Sequence, residues 1–162
     1  MRRRFGKIIN ELAKKDDKIV LIVGDIGYGV FDEFRAEHPK RFFNLGICEQ
    51  SIISVSSGMA LEGLKPWVYT ITPFLIERPF EQIKLDIDQQ NVNVNLVGFA
   101  DYPTLGPSHA ELDCERLMKL FKNIESFFPK NSDETESAVY KSYKKDGPTF
   151  ISLKSDSISK NW

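Results

Sequence analysis

Residues 18–24, KIVLIVG, are an apolar run broken only by its leading lysine and closed by glycine. A strand with one wet face alternates apolar and polar residues, and this one does not, so it has to be covered on both sides. That requirement calls for a sheet with helices on both faces, and the rest of the chain supplies the parts. RFFNL (41–45), PWVYTI (66–71), VNVNLVGF (92–99), IESFFP (124–129) and PTFISLK (148–154) read as further strands. Between them lie amphipathic segments. Phe5, Ile8, Ile9 and Leu12 recur at helical spacing in MRRRFGKIINELAKKDD, which marks a first helix rather than a targeting peptide. ICEQSIISVSSGMALEG (47–63) reads as a helix with Cys48, Ile52, Val55 and Met59 on its apolar face, Gly63 as its C-terminal cap and Pro66 barring continuation. In ERPFEQIKLDIDQQ (77–90), Pro79 suits a first turn, and Ile76, Phe80, Ile83 and Ile87 share a face. Two further helices are expected over 111–122 and 132–145. Strands alternating with helices define an α/β fold with a mostly parallel sheet and helices on both faces. Residues 1–154 are expected to form a single domain, followed by a short polar tail over 155–162.

In such sheets ligands gather beyond the carboxyl ends of the strands. Four loops are placed there: GDIGYG (24–29), LGICE (45–49), TPFLIER (72–78) and the Pro/Gly-rich ADYPTLGPSH (100–109). A formal net charge of −1 gives no global field for nucleic acid or an anionic membrane. No apolar run approaches the roughly 18–20 residues that span a bilayer. The two cysteines, Cys48 and Cys114, form no CxxC pair and no metal-ligand cluster with histidine. This usage fits a reducing, cytoplasmic setting and argues against a structural zinc site.

The loops carry several candidates, each with a plainer alternative. GDIGYG follows a strand but matches neither GxGxxG nor a phosphate-binding P-loop; its Asp25 stands where a carboxylate can reach a site. Cys48, near a helix N-terminus, has the position of an activated thiol with His109 as a candidate base, yet it also falls on the apolar face as a packing residue. Glu49 suits a helix N-terminus on electrostatic grounds alone, by roughly 0.3–1 kcal/mol. Its small and apolar neighbours, however, imply burial, and a buried carboxyl needs a partner or a task. His109 is either a loop or cap residue or a donor aimed into the shared loop face. Phe74 either fills the core or stacks on a flat heterocycle. Arg78 is either a surface ion-pair residue or part of the same site.

Taken in order, GDIGYG, RFFNLGICEQ, TITPFLIERPFEQIK and LGPSH resemble the pyrimidine-binding domain of transketolases and their relatives, among them deoxyxylulose-phosphate synthase and the beta subunits of 2-oxoacid dehydrogenases. The resemblance covers about residues 5–153. It implies thiamine diphosphate as cofactor, with Mg2+ or Ca2+ bound mainly by another chain. It also implies that Glu49 hydrogen-bonds a ring nitrogen of the aminopyrimidine and favours its imino tautomer, that Phe74 stacks on that ring, and that His109 contacts the reacting oxygens of the substrate. Asp25 and Arg78 would lie beside the cofactor. Leu105 stands where sugar transketolases commonly carry an acid that reads a donor hydroxyl, which puts ordinary sugar-phosphate donor preference in doubt. The family's diphosphate-binding GDG motif is absent from these 162 residues. The resemblance therefore implies a split transketolase that moves a two-carbon ketol unit between sugars or sugar phosphates. A separate subunit would supply the diphosphate-binding domain in a hetero-oligomer, a heterotetramer or larger. The glutamate helix would lie at the interface, where Ser54, Ser57 and Gly58 either permit close packing or serve packing within the domain. A decarboxylating synthase or dehydrogenase subunit, a non-catalytic assembly subunit and a Cys48-dependent hydrolase are the alternatives.

Overall fold

The computed structural model describes residues 1–100 and 105–154. The strands are Ile19–Val23 (β1), Phe42–Asn44 (β2), Lys65–Ile71 (β3), Asn95–Phe99 (β4), Glu125–Phe127 (β5) and Thr149–Leu153 (β6). All pair in parallel in one sheet of order β2-β1-β3-β4-β6-β5. The helices are Arg2–Ala13 (α1), Asp32–Glu37 (α2), Glu49–Leu61 (α3), Thr72–Ile76 (α4), Phe80–Gln82 (α5), Cys114–Met118 (α6) and Ser132–Lys144 (α7). A 3₁₀ turn at Pro39–Arg41 leads into β2, and α5 continues directly as a π-helical segment, Ile83–Asp88.

Every residue of β1 is buried, as its unbroken apolar run requires. The pleat then sorts side chains to two cores. Leu21, Val23, Trp67, Tyr69, Val97, Phe99, Ile151 and Leu153 face a layer built by α1, α2 and α7. Ile22, Val68, Leu96 and Phe150 face the opposite layer, where Ile52, Ile53, Ile83, Ile87 and Met118 close over them. Because β2 lies on one side of β1 and β3 on the other, the loops after β1 and β3 leave the sheet in opposite directions. This opens a crevice between them.

Several local expectations need correction. The buried face of α3 is Glu49, Ile52, Ile53, Ser56 and Ser57, whereas Val55 is exposed and Cys48 and Met59 are only partly buried. The small serines turn inward because their hydroxyls find acceptors there: Ser56 Oγ donates to the Ile52 carbonyl at 2.6 Å and Ser57 Oγ to the Asp86 carbonyl at 2.7 Å. The expected loop 72–78 is mostly helix, since Pro73 fits the first turn of α4. The helix expected within 77–90 runs from Phe80 to Asp88, with Pro79 as its N-cap and not inside its first turn, and its second half is π-helical. Ile83 and Ile87 are buried in one core cluster with Ile76, and Phe80 packs against it. The helix expected over 111–122 is confined to α6, and α2 is a short helix where none was expected. Gly63 does cap α3. At φ +86° it donates to the Ala60 carbonyl at 3.0 Å, while Leu64 N reaches the Met59 carbonyl at 3.1 Å, a Schellman pattern. The tail over 155–162 lies outside the described residues.

Helix α4 docks directly on the backbone of β4. A Cβ at Gly98 would fall 2.4 Å from Thr72 Oγ1 and 3.1 Å from Thr72 Cα. Thr72 is fully buried, so the clash has no outlet into solvent. Gly98→Ala is expected to destabilise the fold by about 1–3 kcal/mol, read as a lower urea midpoint at unchanged slope.

Candidate active site

The turn that delivers α3 is built on hydrogen bonds to Asn44, the last residue of β2. Its Oδ1 accepts from Gly46 N and from Asp25 N, both at 3.1 Å. Its Nδ2 donates to Asp25 Oδ1 at 3.1 Å. The loops after β1 and β2 are thereby latched together. Gly46 takes φ +79°, a left-handed conformation that a side chain disfavours, and the chain then reverses into Glu49.

Glu49 is the first residue of α3, at the positive end of the helix dipole, and it is only 5% exposed. Its Oε1 accepts from Arg78 Nη1 at 2.9 Å. Arg78 follows α4, and its guanidinium carbon lies 3.5 Å from the centroid of the Phe74 ring. Phe74 in turn meets the His109 imidazole edge to face, with centroids 4.8 Å apart and planes at 64°. A second tie fixes the His109 segment on the same support, since Leu112 N donates to Glu77 Oε1 at 3.2 Å. Glu49, Arg78, Phe74 and His109, drawn from three loops, thus form one contiguous chain of contacts.

Asp25 stands apart from that chain of contacts. Its backbone is left-handed, φ +54°, a conformation aspartate tolerates better than most residues. Its carboxylate binds Asn44 and the Tyr28 hydroxyl, which donates at 3.0 Å. Cys48 sits at the N-cap of α3 with its thiol directed at the Leu45 carbonyl, 3.0 Å away. Cys114 is buried, and desolvation with the nearby Glu111 pushes its thiol up to about 11, so it holds its proton at neutral pH. A cleft of about 520 Å³ opens beside it, lined in part by Glu111, Cys114, Ser152 and Lys154, and none of the five expected site residues lines it. Sequence reasoning missed Asn44 and Glu77, the residues that hold the loops in place. Asn44, at a strand's carboxyl end two residues before a glycine, carried the only readable signal.

The fold and these contacts define a domain that gathers a buried acid, an arginine, an aromatic ring and an imidazole at the carboxyl ends of a parallel sheet. Over residues 1–159 the sequence matches the family described as transketolase, pyrimidine binding domain, and the chain belongs to that family. It is 34% identical over 152 residues to a transketolase family protein of Sinorhizobium fredii, covering 92% of this chain and 44% of that protein. It is 31% identical over 150 residues to one subunit of the apulose-4-phosphate transketolase of Actinobacillus succinogenes, covering 91% of this chain and 48% of that protein. A 93-residue stretch, 57% of this chain, is 42% identical to 1-deoxy-D-xylulose-5-phosphate synthase of Clostridium perfringens, of which it covers 15%. Among solved structures, a split-gene transketolase described as an inactive beta4 tetramer superposes with a TM-score of 0.84 at 30% identity, over 94% of this chain and 50% of that one. The chain spans about half the length of the Sinorhizobium fredii and Actinobacillus succinogenes relatives.

The Asp25–Tyr28 contact has a spectroscopic consequence. The hydrogen bond to Asp25, and then its charge, hold the Tyr28 pKa above the ordinary tyrosine value. Asp25→Ala is expected to lower the Tyr28 titration midpoint, followed by NMR of the tyrosine rings as pH is raised.

Proposed function

We propose that this chain supplies the pyrimidine-binding half of the active site of a split, thiamine diphosphate-dependent transketolase. The observation that carries this reading is the pairing of a nearly buried Glu49 carboxylate with the Phe74 face, because these two groups match the edge and the face of an aminopyrimidine. The donor set fits the cofactor's ring: one acid for a ring nitrogen, one aromatic to stack, one histidine alongside. When bound, thiamine diphosphate supplies the carbon nucleophile that such transfers need.

The chain's own residues have separable tasks. Glu49 holds and returns a proton at the ring nitrogen, and its burial strengthens that hydrogen bond. Phe74 fixes the plane of the ring. His109, held against Phe74, presents its imidazole to the oxygens of the substrate. Asp25 lines the first loop and, through Asn44, sets the turn that aims Glu49. In the free chain Arg78 is the counter-ion of Glu49. Leu105 is exposed at the start of the described part of the His109 loop, and as an apolar group it discriminates weakly among donor hydroxyls. The substrate class is a sugar or sugar phosphate.

The diphosphate and its Mg2+ or Ca2+ would be held mainly by a separate chain carrying the diphosphate-binding domain. Among the described residues no cluster of three His, Cys, Asp or Glu is set to hold a metal. Ile47 just before α3, Val55 and Leu61 on it and Leu85 on the adjoining helix are exposed apolar groups suited to burial in a hetero-oligomer, a heterotetramer or larger. Among the described residues no helix is long and apolar enough to cross a membrane. The two free thiols suit a reducing, cytoplasmic setting.

Ketol transfer is tested by combining the chain with the partner carrying the diphosphate-binding half. Glu49→Ala should lower the rate by about 10²–10⁴-fold without dissociating the assembly; an unchanged rate would sink the assignment. The stretch similar to deoxyxylulose-phosphate synthase supports a second reading, a decarboxylating synthase. Carbon dioxide released from a 2-oxoacid in the same assay would select it.

A further inference from the structure

The Glu49–Phe74 pocket already holds a flat group. The Arg78 guanidinium donates from its edge to Glu49 at 2.9 Å and lies with its central carbon 3.5 Å from the Phe74 centroid. A guanidinium is planar, offers N–H donors in its plane and presents a π-face to an aromatic ring. An aminopyrimidine has the same two recognition elements, an edge that bonds a carboxyl group and a face that stacks. At 3.5 Å the guanidinium is in van der Waals contact with the ring, so no second plane fits between them.

Resting on the pocket reading above, we propose that Arg78 is an internal mimic of the cofactor's ring. In the free chain its guanidinium occupies the ring's place, and ring entry displaces it toward solvent. The route out exists, because the Arg78 side chain is 39% exposed while Glu49 is not. Its position between the end of α4 and Pro79 lets the side chain swing without unravelling a helix. In the free chain the pairing spares Glu49 an uncompensated buried charge. It also lowers apparent affinity, since only the fraction of molecules with Arg78 swung out is competent to bind.

The test uses the full chain and thiamine, which carries the aminopyrimidine but no diphosphate and so does not call on the partner's half of the site. In the free chain the Arg78 side-chain NMR signals should be displaced upfield by the Phe74 ring current. At saturating thiamine they should return toward the values of a solvated arginine. Arg78→Ala should bind thiamine roughly tenfold more tightly. Arg78→Lys keeps the charge without the flat donor edge and should also tighten binding, by a smaller factor. Retention of the upfield shift at saturation, weaker binding by Arg78→Ala, or a lysine form identical to the wild type would each overturn the mimicry and leave the pocket reading standing. Thiamine binding by none of the forms would overturn both. If Arg78→Ala fails to fold, the shift measured on the wild-type chain decides the matter.

Discussion

The pairing of β1 with β3, while β2 takes the other edge of β1, is the constraint on which the rest depends. Parallel pairing sends every strand's carboxyl end to one side of the molecule. Placing β2 and β3 on opposite sides of β1 parts the loops that follow β1 and β3, so the crevice follows from connectivity before any side chain is considered. Into it come the turn that starts α3, the helix that leaves β3 and the segment that follows β4. Each brings one or two members of the Glu49, Arg78, Phe74, His109 group.

The crevice would be only a gap without the polar ties that fix its walls. Asn44 binds the first loop to the second, and Glu77 binds the His109 segment to the exit of α4. These are hydrogen bonds between loops, which leave apolar burial to the two layers beneath. The aromatic contact of Phe74 with His109 and the cationic contact of Phe74 with Arg78 share one ring. Phe74 is therefore the common surface against which the counter-ion of Glu49 and the His109 imidazole are both positioned.

Much of this was legible in the sequence for reasons that can be named. KIVLIVG announces a strand covered on both faces, and the strand it forms, Ile19–Val23, is buried throughout. Gly63 and Pro66 mark the end of α3 because the Schellman turn needs a left-handed residue and proline cannot continue the helix. Other features were not legible. The phase of α3 was misread because Val55 is more apolar than Ser56 and Ser57, yet the serines are buried once the Ile52 and Asp86 carbonyls accept their hydroxyls. Those acceptors are invisible to a periodicity argument. Similarly, Glu49 and Arg78 are 29 residues apart, and nothing in their spacing reveals the ion pair. The motif blocks named four residues of one site, but only the fold brought them into contact.

The π-helical stretch after α5 has a mechanical consequence. A π turn leaves carbonyls without their usual helical partners, and the Asp86 carbonyl accepts from both Ser57 Oγ and Gln90 Nε2. Ser54 Oγ adds a 2.6 Å bond to the Asp86 carboxylate. The seam between α3 and this helix is therefore indexed like meshed teeth, whereas an apolar seam would allow sliding. These bonds tie α3 to the helix that begins just after Arg78 at a fixed register. Asp86 is thus the shared anchor of the two elements that carry Glu49 and follow Arg78.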